Sequence, residues 1–180
     1  MSKKLVEKKN PQQKNLFHES IINKKIILSI NNIGSNLKEV LEEFVHDTYE
    51  GKCIVEGIIK KKSSKILTYS SGKLFGNNVE FDVVIECLIC FPVEGMNINC
   101  VCKNITKAGI RAELDETPSP IVVFLMRDNH YNKPGFSQIK EGDNINIKVI
   151  GQRFELNDPF ISIIGEHVFQ QESKPKIVFE

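Results

Sequence analysis

From Phe17 the chain sets Ile21, Ile22, Ile26, Ile27, Leu28 and Ile30 close together, a β-branched run that predicts one or two strands before Asn31-Asn32-Ile33-Gly34 breaks it. Between Ser35 and Asp47 the spacing changes. Leu37, Val40, Leu41, Phe44 and Val45 fall at i, i+3, i+4, i+7 and i+8, which gathers them on one face of a helix, while Lys38, Glu39, Glu42 and Glu43 take the opposite face. Strands are predicted at 52–59, 65–69 and 79–91, separated by Lys60-Lys61-Lys62-Ser63-Ser64 and by Gly76-Asn77-Asn78. Beyond Pro92 the pattern is all β. Runs at 96–106 and 110–114 flank Lys107-Ala108-Gly109, a three-residue hairpin loop with glycine at its left-handed position, and 121–126, 144–150 and 160–164 follow. Five short strands with a long connection after the third match the five-stranded OB barrel. The fold class expected is therefore α+β: a small α+β domain over 16–91, then an OB β-barrel over 92–168. Residues 1–15 are expected to form a disordered Lys-rich tail and 169–180 a C-terminal tail.

Composition narrows the function classes. With 41% hydrophobic and 26% charged residues among 180, the chain reads as a globular protein, and no window approaches the roughly 18 consecutive apolar residues of a membrane span. Five cysteines, an odd number, argue against a disulfide framework and for a reducing, intracellular setting. The net charge of +1 hides an uneven split, since residues 1–15 hold five Lys and one Glu and the remainder is about −3. The body thus lacks the broad positive field that drives tight nonspecific binding to duplex nucleic acid, so any polyanion contact is expected to be local. The excess of 21 Lys over 3 Arg, with 24 Ile and 16 Asn, is attributed to an AT-rich genome rather than to function.

Candidate chemistry is sparse. Cys87, Cys90, Cys100 and Cys102 form two close pairs that could in principle ligate zinc, but the residues between them continue strand patterns where a zinc knuckle needs a tight turn, so buried strand cysteines are expected and no metal is assigned. His18, His46, His130 and His167 are scattered outside any triad or metal motif, and no Gly-rich phosphate loop is present, so no catalytic residue and no cofactor are assigned. All three arginines, Arg111, Arg127 and Arg153, lie in the β-rich half, near Lys103, Lys107, Phe124, His130 and Tyr131. Guanidinium groups and exposed rings are what an OB face uses to hold single-stranded nucleic acid, and these eight residues are the candidate RNA-binding set.

Two stretches carry a resemblance. Glu94-Gly95, Asn104-Ile105-Thr106-Lys107-Ala108-Gly109-Ile110 and Gly142-Asp143 with the strand after it resemble the S1-type OB domain. Pro92-Val93-Glu94-Gly95, Val149-Ile150-Gly151-Gln152-Arg153, Asn157-Asp158 and Gly165 resemble the C-terminal half of the large stalk subunit of multisubunit DNA-directed RNA polymerase, the family of the eukaryotic seventh subunit and its archaeal counterpart. Ile33-Gly34-Ser35-Asn36-Leu37 and Tyr49-Glu50-Gly51-Lys52-Cys53 look like that family's tip domain, and the succession runs in order over about residues 20–168. The resemblance implies a noncatalytic subunit whose tip domain, through Asn32, Gly34 and Gly51, docks on the polymerase core subunits and meets a smaller stalk partner. Its S1-like domain would touch nascent single-stranded RNA near the exit path. The Lys-rich tail is foreign to the family pattern, and Ala108 and Ile110 stand where many S1 domains place stacking aromatics. The AT-rich bias in a divergent stalk subunit suggests a large DNA virus, with virion and host cytoplasm as its location, against a nuclear protein of an AT-rich cellular genome. The competing reading is a free-standing S1 or OB protein of translation or RNA turnover.

Overall fold

The computed structural model describes residues 16–133 and 135–168; the expectations for the two tails lie outside them. Two compact units form among the described residues, one taking 16–92 together with Phe154–Ile161, the other taking Val93–Arg153 and 162–168.

The first unit is built on two long strands, β1 (Phe17–Ser29) and β6 (Asn78–Cys90), paired antiparallel over their whole length from Phe17 opposite Cys90 to Ser29 opposite Asn78. The other edge of β6 takes three short strands in turn: β5 (Lys73–Phe75), β4 (Lys65–Tyr69) and β3 (Gly57–Ile59), with β2 (Cys53–Ile54) pairing β3. Alternation explains the core. Ile22, Ile26 and Leu28 on β1 meet Ile85, Phe81 and Val79 on β6, and this face carries helix α1 (Leu37–Tyr49), whose Leu41 and Val45 are fully buried. The helix lies two residues later than the spacing predicts, because Ser35 and Asn36 form the turn that enters it.

Two expectations are corrected. The stretch 52–59 is not one strand: it folds back at Val55-Glu56 into β2 and β3, and Gly57 takes φ +126° where a Cβ would lie 2.5 Å from the Cys90 carbonyl oxygen. Lys73–Phe75, unassigned from sequence, is a strand because the Gly76 turn folds it onto β6. Among the described residues α1 is the one α-helix, so the expected α+β character reduces to a single helix on a six-stranded sheet.

In the second unit β7 (Asn97–Ile105), β8 (Gly109–Glu113), β9 (Ile121–Met126), β10 (Asn144–Arg153) and β11 (Ile161–His167) close a barrel in the order β10-β11-β9-β8-β7. Counted along the chain the circuit is first, second, third, fifth, fourth and back to the first, an OB-like arrangement. Alternate residues fill it: Ile98, Cys100 and Cys102, Ile110 and Ala112, Val123 and Leu125, and Ile145, Ile147 and Val149 are all buried. The segment after β10 belongs to the first unit. There the Cys53 amide donates to the Asp158 carbonyl at 2.8 Å, the Asn157 amide donates to the Cys53 carbonyl at 2.9 Å, and the Phe91 and Phe154 rings meet edge to face at 6.1 Å.

Candidate nucleic-acid interface

The barrel's outer surface carries a row of side chains across three strands. Asn104 on β7 pairs with Arg111 on β8, and Arg111 pairs with Phe124 on β9, so strand register alone sets the three side by side. Phe124 is 41% exposed, and Met126, two residues on and facing the same way, is 46% exposed. The Arg111 guanidinium is held to Glu113 at 2.7 Å, which fixes its direction and screens part of its charge.

The hairpin loop above this row is braced from β9. Arg127 donates its amide to the Ala108 carbonyl at 2.9 Å and its guanidinium to the Thr106 carbonyl at 3.2 Å, while the Thr106 hydroxyl donates to the Gly109 carbonyl at 3.1 Å. Ile105, Thr106, Lys107 and Arg127 thereby line an open depression with two cations on its rim. Gly109 permits this geometry, since a Cβ there would collide with the Leu125 carbonyl oxygen. Lys103 is exposed at the bulge where the β7–β8 register shifts between Cys102 and Asn104.

The remaining candidates separate. Tyr131 is 78% exposed in the turn after β9. Arg153 ends β10, which adjoins β7 and β11 but neither β8 nor β9, so it lies off the row. His130 corrects the expected set: it is 1% exposed, its Nδ1 donates to the Met126 carbonyl at 2.7 Å, its Nε2 accepts the His167 amide at 2.9 Å, and its ring stacks on Phe136 at 4.4 Å. These bonds fix the neutral tautomer with its proton on Nδ1, and the residue braces the β9–β10 connection instead of facing solvent.

In the first unit Asn32 and Gly34 are exposed together in the connection from β1 to α1. Gly51 lies past the other end of the 13-residue helix, about 20 Å away along its axis. Its φ of +69° and the Lys61 stem packed where a Cβ would stand give it a role in internal packing. The Ile30 amide donates to the Asn77 carbonyl at 3.1 Å, bringing the β5–β6 hairpin to that connection, so Ile30 (50% exposed), Leu74 (71%) and Phe75 (75%) form an exposed apolar end to the sheet.

The cysteines are buried thiols. Burial pushes Cys53 and Cys87 up to about 11 and Cys100 up to about 12, and among the described residues no three His, Cys, Asp or Glu side chains are placed to hold a metal. No described helix is long and apolar enough to cross a membrane. Sequence reasoning missed Met126, although its alternation with Phe124 was the available signal. It also missed Glu50, whose carboxylate accepts the amides of Lys62, Ser63 and Ser64 at 2.6, 3.1 and 2.9 Å, together with the Ser64 hydroxyl and His46 Nδ1. Burial pushes this carboxyl up, but the bonds from Ser64, His46 and Lys62 outweigh it and hold it below the ordinary carboxylate range. No local pattern marks such a residue.

The chain matches no model of a known protein family. It is 26% identical over 170 residues to a protein of Acanthamoeba polyphaga mimivirus provisionally named a DNA-directed RNA polymerase subunit, an alignment covering 86% of this chain and 83% of that protein. The chain is thus similar, along most of its length, to a viral protein named for transcription.

Proposed function

We propose that this chain is a noncatalytic subunit of a virus-encoded DNA-directed RNA polymerase, of the stalk type. The observation that carries the reading is the extended similarity to the mimivirus protein, which spans both units and not the barrel alone. In this reading the first unit docks on the polymerase core through the exposed end formed by Ile30, Asn32, Gly34, Leu74 and Phe75. An apolar surface of this kind gains by being covered in an assembly. The barrel holds emerging transcript on its β8–β9 surface, with Phe124 and Met126 as platforms for bases and Lys103, Lys107, Arg111 and Arg127 near the phosphates. Intrinsic affinity need only be modest, because a tethered subunit meets tethered RNA at high effective concentration.

Affinity purification of the tagged chain from infected cells tests this. Stoichiometric recovery of the two largest polymerase subunits is expected. Recovery of the chain alone with RNA would refute the stalk reading and leave a free-standing RNA-binding protein.

A further inference from the structure

Strand β1 is 13 residues long and pairs on one side only; among the described residues no strand pairs its outer edge. Sheets usually guard such an edge with lysines. Here the two that stand at its centre are drawn onto carboxylates: Lys24 onto Glu56 at 2.9 Å and Lys25 onto Glu80 at 2.7 Å, with Asp82 at 3.7 Å. The charge that would repel an incoming strand is thus compensated from within the same sheet. Flanking the lysines, Ile21 and Ile27 point to the face away from the core and are 63% and 52% exposed. Helix α1 contacts β4, on the far side of β6.

The spacing is self-complementary. In an antiparallel pair of two β1 edges with Lys24 at the two-fold axis, Ile21 of each copy stands opposite Ile27 of the other, and Asn23 stands opposite Lys25. Each apolar side chain gains a cross-strand apolar partner, and the two six-stranded sheets become one continuous sheet. We infer that the outer edge of β1 is a self-association surface, and that the free subunit pairs with a second copy of itself by strand addition in this register.

The test uses the full-length chain. Light scattering on a sizing column should show the 20.5 kDa mass doubling as concentration rises. A mixture of Ile21→Cys and Ile27→Cys chains should form a disulfide-linked dimer on mild oxidation, since directly opposed residues bring their Cα atoms within about 4.5–5.5 Å, inside the span a disulfide bridges. Neither variant alone should do so, because each introduced thiol would then face an isoleucine, and the native thiols are buried. The double variant Ile21→Lys, Ile27→Lys should weaken dimerisation at least tenfold with the melting temperature of the dilute monomer unchanged, both positions being exposed already. A single-chain mass at millimolar concentration overturns the inference, as does cross-linking of either variant with itself in preference to the mixture.

Discussion

Replacing Glu50 is expected to unfasten the Lys60–Ser64 loop, and the cost follows from the donors it holds. Oε1 accepts the Ser63 and Ser64 amides and the Ser64 hydroxyl, and Oε2 accepts the Lys62 amide and faces His46 Nδ1 at 2.9 Å. A hydrogen bond to a charged group contributes roughly 1.5–3 kcal/mol, but these share one carboxylate, and a freed loop can turn its amides to water, so they do not add. Glu50→Ala should therefore cost about 3–4 kcal/mol. Glu50→Gln keeps one oxygen for the Ser63–Ser64 side but turns an amide donor toward the Lys62 N–H, and should cost about 1.5–3 kcal/mol. Urea unfolding followed by circular dichroism gives the totals, and hydrogen exchange at the Lys62, Ser63 and Ser64 amides shows where protection is lost. The pH dependence carries a sign. The folded carboxyl lies below its ordinary value of 4.5, so its contribution is full well above that pH and is lost as pH falls through the folded value. The gap between wild type and Glu50→Gln should hold from pH 7 to 5 and close below that. A Glu50→Ala variant within 1 kcal/mol of wild type, with the three amides still protected, would refute the reasoning.

Further outcomes are expected at the barrel surface, in the helix core and at the buried polar groups. Phe124→Ala should weaken binding of short single-stranded RNA by about 1–3 kcal/mol without affecting folding, whereas Glu113→Gln, which releases Arg111 from its ion pair, should strengthen it; fluorescence anisotropy reads both. Joint loss of Lys107 and Arg111 should reduce the salt slope by about 0.7 per cation, while Arg153→Ala, off the row, should leave it unchanged. Leu41→Ala, at a fully buried site, should cost about 2–5 kcal/mol in urea unfolding, and Phe44→Ala, half-buried against Tyr49, clearly less. His130→Ala should lower protection of the His167 amide and cost about 1–3 kcal/mol, and iodoacetamide at pH 8 should label no cysteine until urea is added, because all five thiols are buried.

The elements that periodicity controls were legible. The helix face of Leu37, Val40, Leu41, Phe44 and Val45 and the alternation of Ile145, Ile147 and Val149 each state which side is buried, and the barrel's five strands stand within three residues of their expected ends. What failed was set by distant partners. β3 begins where it meets Cys90 and β5 exists because β6 receives it, neither of which a short window contains. The candidate site shows the same division. Arg111 and Phe124 could be nominated by type, but their adjacency depends on the β8–β9 register, and that of Asn104 with Arg111 on the β7–β8 bulge at Lys103, neither of which a short window contains. His130 was misplaced because a polar ring with two well-aimed partners inside a protein is indistinguishable, in sequence, from one on its surface.

The chain crosses between the two units three times, after Pro92, after Arg153 and after Ile161, and this has a bearing on folding order. A barrel expressed from residue 93 onward would contain an eight-residue excursion, Phe154–Ile161, whose anchoring partners at Cys53 and Phe91 had been deleted. Synthesis from the N-terminus delivers the sheet first, and the excursion leaves the ribosome before the last barrel strand, β11. The units are therefore interleaved along the chain, and a lesion at Cys53 should slow closure of a barrel none of whose strands lies near it in sequence.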